Sequence, residues 1–235
     1  MLLVALPVRL AAQSEWLFFG GPQYDEATYR PPKNTDKQDR TSAYTLSFGQ
    51  GSGMGWHAGA AYRAGSEKLK FRGGLTLTMN EVSVAYTESS RSSGLGGGGT
   101  WVNKGHLDDR FALLEAPLLI SIRAGGSVRF ETGFSPWWLM SAHSHDSGER
   151  NSSWWNMLPA SGTYQGTYDR SADVTSKFVP YGVMFSLGFS GTIKKHFLVG
   201  TSSTFSLPRT YESDSKYSVG RFMARLSVGY VLVKD

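Results

Sequence analysis

The residues best suited to chemistry lie together in one polar stretch, HSHDSGER, beyond the middle of the chain. His143 and His145, with Asp146 and Glu149, offer the nitrogen and oxygen donors that bind a transition metal. Two histidines in a polar loop are too few for a stable site, and no second cluster supplies the missing ligands. The sequence therefore makes these histidines weak metal candidates and predicts neither a bound metal nor a cofactor.

The same stretch could instead carry a hydrolytic site. Ser141 or Ser144 would act as the nucleophile and His143 or His145 as its base. No G-x-S-x-G motif marks a nucleophile, and the sequence does not pair a particular serine with a particular histidine. A small hydrolase or lipid-modifying enzyme, with its site between His143 and Glu149, is therefore the alternative to a protein without catalytic activity.

An apolar group follows in the same segment and is typical of partner binding rather than catalysis. Trp154, Trp155, Met157 and Leu158 stand among serines and asparagines. Exposed clusters of aromatic residues and methionine are enriched at protein interfaces. A cap folded over the body of the protein would use the same side chains, so both interpretations stay open. The whole segment, residues 141–176, is predicted to be a long loop that is a candidate for partner binding.

β-Strands must position these residues, because an alternation with a period of two runs through most of the chain. The clearest case is a hairpin that turns at Gly125 and Gly126. One face of this hairpin is apolar and consists of Ala112, Leu114, Ala116, Leu118, Ile120 and Ile122, then Val128, Phe130, Phe134, Trp138 and Met140. The opposite face carries charged residues, namely Glu115, Arg123, Arg129 and Glu131. In a soluble barrel the charged face would meet water, whereas in a membrane barrel it would line the lumen.

The order of the connections favours the membrane barrel. Eight strands are expected, at about 15–24, 42–63, 69–86, 107–122, 128–140, 178–190, 197–207 and 217–233. Their connections alternate between long and short, which is how outer-membrane barrels sort extracellular loops from periplasmic turns. The sequence therefore predicts an all-β fold, an eight-stranded antiparallel up-and-down transmembrane β-barrel with long extracellular loops and short periplasmic turns. Beyond Asn80 the apolar residues change parity, which indicates either a bulge or emergence from the bilayer.

The amino-acid composition supports a membrane β-barrel and limits which kinds of partner the protein can bind. The 235 residues contain no cysteine, which excludes disulfides and thiolate metal sites, and their mean hydropathy of −0.28 suits amphipathic strands. The net charge of +5 is spread without a basic run, so a nucleic-acid partner is not expected. Residues 1–13 have the apolar run of a secretory signal without its basic start, with a first β-strand as the alternative. We expect a signal peptide that is truncated at its start, followed by one barrel domain over residues 14–235.

Charged side chains on the inner face are expected to pair with one another. An eight-stranded barrel is just wide enough for its own side chains to fill it, and unpaired charges there would be costly. The expected network consists of Arg63, Arg72, Glu115, Arg129, Glu131 and Arg225. We interpret it as a structural plug, with an acid–base pair or a proton path as the functional alternative. An open pore is not expected.

The segment LLEAPLLISIRAGGSVRFETGFSPWWLMS resembles the central hairpin of the Bacteroidota outer-membrane β-barrel domain, the PorT-like group. Its LEAPLL element, with Glu115 and Pro117, fits the family's first strand, and Gly133 fits the second. The closing ARLSVGYVLVKD is similar to the family's last strand but ends in Lys-Asp rather than in an aromatic residue. The resemblance implies a place in the bacterial outer membrane, in contact with its lipid, and no single activity.

A few members of that group serve in protein export, so the resemblance also implies a possible envelope protein as partner, bound through residues 141–176. The expected function is that of a non-enzymatic barrel that displays extracellular loops for a partner or ligand. An accessory role in an envelope or protein-export complex is the more specific expectation.

Overall fold

The computed structural model describes residues 14–30, 42–94, 97–156, 162–178, 180–206 and 218–234, and almost all of them are β-strand. Eleven strands follow one another: β1 (Ser14–Arg30), β2 (Ser42–Phe48), β3 (Gln50–Gly65), β4 (Leu69–Gly94), β5 (Gly97–Glu115), β6 (Leu118–Gly125), β7 (Val128–Asn156), β8 (Gly162–Asp173), β9 (Tyr181–Ile193), β10 (Phe197–Ser206) and β11 (Ser218–Lys234). A short 3₁₀ turn, Thr175–Lys177, precedes β9. Within the described residues no helix is long and apolar enough to cross a membrane. The expected signal segment, residues 1–13, lies outside the described residues.

The strands close into a ring of eight positions in which every neighbour is antiparallel. Three positions each hold two consecutive strands, β2 with β3, β5 with β6, and β8 with β9. β1 closes the ring by pairing with β3 on one side and with β11 on the other. A closed ring satisfies the backbone polar groups without water, which is what a strand needs in order to cross lipid. The predicted eight-stranded up-and-down barrel is therefore confirmed.

A belt of apolar side chains surrounds the barrel. Its exposed members include Phe18, Trp56, Phe71, Leu75, Leu77, Leu118, Ile120, Phe134, Phe189, Val199, Leu226 and Val228. On the central hairpin Leu118 is 61% exposed and Phe134 57%, whereas Glu115 is 1% exposed. The apolar face predicted from the sequence therefore points outward and the charged face inward. Because a tilted strand needs about 9–11 residues to cross the hydrocarbon layer, the longer strands project beyond it.

A bulge at Gly49 separates β2 from β3 and reverses which side chains face inward. Leu46 is buried, whereas Met54 and Trp56, beyond the bulge, face outward and are exposed. The residue types alternate in a single phase from 42 to 63, which is wrong for residues 42–48, and the bulge that the glycines at 49–55 indicated is present at Gly49. One extra residue in β2–β3 against β4 shifts the alternation, and such a shift is invisible when both phases present apolar residues.

Above Asn80 the barrel keeps its alternation but exchanges its apolar and polar faces. β4 runs through this point without a register shift against β3 or β5. Val82 and Val84 face inward and are buried, whereas Glu81 and Ser83 face outward. The parity change therefore marks emergence from the bilayer and not a bulge. The inner side chains here, Ala27, Tyr29, Val82, Val84, Leu107 and Val219, form an apolar cluster.

Two segments predicted as loops are strands instead. Residues 87–94 and 97–106 form the outer ends of β4 and β5, which pair as far as Gly94 and Gly97. Most of residues 141–176 form the outer half of β7 and all of β8, which pair from His143 with Asp173 to Trp154 with Gly162. Both segments lack a continuous apolar face, which is the signal that sequence patterns detect, but ladder hydrogen bonds do not depend on side-chain polarity.

These projecting strands form one curved sheet, here called the extracellular sheet. It comprises residues 42–48, 83–94, 97–108, 143–156 and 162–173, in the spatial order β2, β4, β5, β7, β8. Its inner, concave side faces the barrel axis because it continues the inner side of the barrel. The short turns and the described chain ends lie at the opposite end, which is the periplasmic side in outer-membrane barrels.

Candidate functional site

Charged side chains fill the periplasmic half of the lumen. Glu131 on β7 accepts hydrogen bonds from Arg72 (2.6 Å), Ser190 (3.0 Å) and, at longer range, Arg63 (3.4 Å). Arg63 also donates to Glu15, which lies 2.6 Å away. Arg63 is 2% exposed and Glu131 5%. Charges from four different strands, with Ser190 from a fifth, are therefore held in one bonded layer.

Arg129 differs from the other inward arginines. It donates to the backbone carbonyls of Glu67 (2.7 Å) and Ser121 (3.4 Å). Among the described residues, no ion pair joins it to a carboxylate. The turn that contains Glu67 brings a carbonyl to the guanidinium group, so this arginine is bonded without a countercharge.

A second layer surrounds Glu115 at the middle of the lumen. Both oxygens of this carboxylate are occupied, with Arg225 donating at 2.9 Å, Thr78 at 2.6 Å and Ser135 at 3.4 Å. Arg225 also donates to Gln23 at 3.0 Å. A general base needs a free oxygen within reach of a substrate proton. Glu115 has no free carboxylate oxygen, and its geometry is that of a satisfied buried ion pair.

A third layer lies just inside the outer end of the belt and was missed from the sequence. Asp25 pairs with Arg221 and with Asn80, and Asp109 accepts a hydrogen bond from Tyr29 at 2.7 Å. Asp25 lies just beyond the first strand predicted from the sequence, at about 15–24, because the aromatic run that marks that strand ends before it. The signal that would have found it is the alternation itself, which continues unbroken along β1.

A cavity of about 60 Å³ remains in the lumen between the first two layers. It is lined in part by His57, Glu115, Arg225 and Ser227, and His57 Nε2 lies 2.9 Å from Ser227 Oγ. Such a volume holds roughly two water molecules. Ion pairs surround this cavity and the apolar cluster lies above it. The described lumen is therefore packed rather than open.

A bulge at Met140 determines where the histidine stretch faces. The register between β5 and β7 shifts there, so that Leu139 and Ala142 both pack inward against Phe111. Beyond the bulge Ser144 faces the lumen, whereas His143 and His145 lie on the outer wall. The alternation thus places Ser144 and the two histidines on opposite sides of the sheet, whereas Ser141, the other candidate nucleophile, lies on the outer wall with His143.

His145 has polar neighbours on that outer wall, but they do not form a catalytic arrangement. Its Nδ1 lies 2.8 Å from Ser171 Oγ and 3.7 Å from Asp169. In a Ser–His–Asp triad the hydroxyl and the carboxylate bind opposite ring nitrogens, whereas here both approach the same one. In the described part of the chain, no group of three or more potential ligands could hold a metal ion.

The inner face of the extracellular sheet carries two hydrogen-bonded groups. In the first, Tyr86 donates to Asp146 at 2.6 Å, and its hydroxyl lies 2.6 Å from that of Tyr168. Gly105 and Gly148 make room for this contact, since a Cβ at either position would collide with the Tyr168 hydroxyl. Burial and the bond to Asp146 raise the pKa of Tyr86, so it stays a hydrogen-bond donor.

The second group crosses four strands one row farther out. Tyr44 donates to Glu88 at 2.5 Å, and Asn103 donates to the other oxygen of Glu88 at 3.1 Å. Arg150 Nε then donates to the Asn103 side chain at 3.0 Å. Burial and the Glu88 carboxylate raise the pKa of Tyr44. These hydrogen bonds hold polar side chains in place across the inner face of the extracellular sheet.

The four residues predicted as a partner-binding group are not described as a group. Trp154 lies on β7, on the inner face of the sheet, and is 45% exposed. Trp155 is the next residue of the same strand. Met157 and Leu158 lie outside the described residues. The group predicted to sit on a loop therefore begins, with its two tryptophans, on a strand.

No family profile and no curated protein matches this sequence. Among solved structures, the chain is similar to Ail, the attachment invasion locus protein of Yersinia pestis, with 12% identity over 94% of this chain and 99% of that chain and a TM-score of 0.39. It is also similar to the outer membrane protein OprG from Pseudomonas aeruginosa (12% identity, 94% and 96% covered, TM-score 0.31) and to the outer membrane protease OmpT from Escherichia coli (9%, 94% and 97%, 0.33). Similarity at this level does not show that this chain shares the activity of any of these proteins. The closed ring, the apolar belt and the charged lumen make this chain a small eight-stranded β-barrel of the bacterial outer membrane.

Proposed function

We propose that this protein is a non-enzymatic, non-conducting outer-membrane barrel that displays the extracellular sheet for a partner or ligand. One observation carries the proposal. The strands continue past the belt as a sheet whose inner face bears exposed aromatic and hydrogen-bonding side chains, while the lumen below is closed. Rigid scaffolds that present polar and aromatic groups beyond their core are typical binding devices.

The closed lumen predicts that the protein does not conduct ions. Reconstituted in planar bilayers, the full chain is expected to show no unitary current steps, because ion pairs and the apolar cluster of Val82 and Val84 block the axis. A general porin inserted in the same bilayer serves as the positive control. Reproducible open-channel steps from this protein would contradict the proposal.

The partner is proposed to be an envelope protein or another ligand at the cell surface, reached through the β7–β8 hairpin. Trp154 and Tyr164 on this hairpin are exposed, and both face inward. Exposed tryptophan and tyrosine are the residues that most often dominate binding energy. Membership of the Bacteroidota PorT-like group, with its link to protein export, rests on the LEAPLL hairpin alone and is part of the same proposal.

The binding face is tested by placing a photo-reactive amino acid at single positions in intact cells. A probe at Tyr164 is expected to give crosslinked products, whereas a probe at the adjacent Thr163 gives few, because Thr163 points to the other side of β8. Labelling that is equal at the two positions, or absent from both, would show that the inner face is not the binding face.

A further inference from the structure

The outer end of the extracellular sheet has an unusual composition. Two neighbouring rows of paired residues cross it on the inner face. One row contains Tyr44, Ser90, Trp101, Ser152 and Tyr164, and the next contains Ser42, Ser92, Gly99, Trp154 and Gly162. We call these ten residues the rim platform. It consists of tyrosine, tryptophan, serine and glycine alone, with no aliphatic side chain.

The aromatic rings of the platform are spaced regularly. Tyr44, Trp101 and Tyr164 stand on alternate strands, with a serine between each pair, so their backbones are roughly 10 Å apart across the sheet. The rings of Tyr44 and Trp101 lean together to 6.3 Å between centroids. Trp154 is held against Gly162, where a Cβ would collide with its ring. Trp154 and Tyr164 remain 45% and 53% exposed.

Arg150 lies one row below the platform and supplies a charge. Its Nε is anchored by the Asn103 side chain at 3.0 Å. Its two terminal nitrogens make no hydrogen bond within the described part of the chain, and the side chain is exposed. A guanidinium group that is fixed at Nε and open at its terminal nitrogens is preorganised to bind a carboxylate.

We propose that the rim platform binds an acidic polysaccharide chain that approaches from the solvent, with a uronate carboxylate at Arg150. The C–H faces of sugar rings pack on aromatic rings, and sugar hydroxyls pair with serine hydroxyls. The platform has no aliphatic or methionine side chain, so it offers separate stacking faces and hydroxyls rather than a continuous apolar interface core, which favours a saccharide over a protein surface. The platform faces the barrel axis and not the surrounding lipid. The polysaccharide therefore approaches from the solvent and not from the lipid leaflet in which the barrel sits. This inference rests on the proposed function and specifies its ligand.

The test uses the full chain in detergent and two hexasaccharide probes, hexagalacturonate (acidic) and cellohexaose (neutral), measured by titration calorimetry. The wild-type protein is expected to bind hexagalacturonate more tightly than cellohexaose. Trp154→Ala with Tyr164→Ala should weaken both by about tenfold or more, because two exposed stacking surfaces are lost. Arg150→Gln should abolish the preference for hexagalacturonate by lowering its affinity to that of cellohexaose.

The matched control is Thr163→Ala with Gln165→Ala, on the outward side of the same strand, which should change neither affinity. Heat-modifiable gel migration verifies that each variant is folded. The proposal is overturned if wild type binds neither hexasaccharide or if the platform variants bind as wild type does. Crosslinking at Tyr164 without saccharide binding would remove this inference alone, whereas the absence of both would also remove the proposed function.

Discussion

Replacing Leu77 by arginine is expected to lower the stability of the folded barrel in lipid by about 2–4 kcal/mol and to reduce its yield in the membrane. Leu77 lies on β4, in the apolar belt, and its side chain points outward. A charge at this depth loses its hydration without gaining a partner. Urea titration of the protein folded in phosphatidylcholine vesicles, followed by tryptophan fluorescence, measures the difference.

Ser83→Arg is the matched control for this experiment. Ser83 stands on the same strand and the same outward side, but above the level at which the faces exchange polarity. Since its outer side meets water, the substitution should change stability by no more than about 0.5 kcal/mol. If Leu77→Arg and Ser83→Arg lower the stability equally, the bilayer does not end at the level at which the faces exchange polarity, just above Asn80.

Replacing Arg225 by leucine is expected to cost about 3–5 kcal/mol, because it leaves the Glu115 carboxylate buried without its countercharge. Thr78 and Ser135 would still donate hydrogen bonds but carry no charge. The same vesicle titration gives the change in unfolding free energy. Adding Glu115→Gln to Arg225→Leu should recover part of the loss, since the second substitution removes the stranded charge.

Arg123→Leu is the control for charge loss as such. Arg123 pairs with Glu67 at the periplasmic rim, where both side chains are exposed to water. Exposed pairs contribute little, so this substitution should cost less than about 1 kcal/mol. If Arg225→Leu is no more harmful than Arg123→Leu, the layer around Glu115 does not stabilise the barrel.

Much of the fold was predictable because strand alternation is a local property. The central hairpin showed its lipid face and its lumen face directly, and the short turns between strands followed from glycine and polar residues. The outer halves of β4, β5, β7 and all of β8 escaped detection, because neither of their faces is continuously apolar. Trp101, Trp154 and Tyr164 of the rim platform are scattered through those segments and Tyr44 lies on β2, so no window of the sequence shows them together.

Individual bulges set a second limit on prediction. One extra residue near Met140 places His143 and His145 outside the barrel and Ser144 inside. One near Gly49 turns Leu46 inward. Each bulge depends on pairing with a distant strand, so residue types near it do not fix its position, although the glycines at 49–55 indicated the first one.

By itself the sequence determined that this chain is a membrane barrel with charges in its lumen, since that conclusion needs only the polarity of alternate residues and the order of long and short connections. Only the tertiary structure decided which charges meet. Glu115 and Arg225 are 110 residues apart in the chain, and their contact depends on ring closure between β1 and β11. The tertiary structure also decided which side of the sheet His143 and His145 face, and it brought the residues of the rim platform together. Register across distant strands sets these features, and the period of two within one strand carries no information about it.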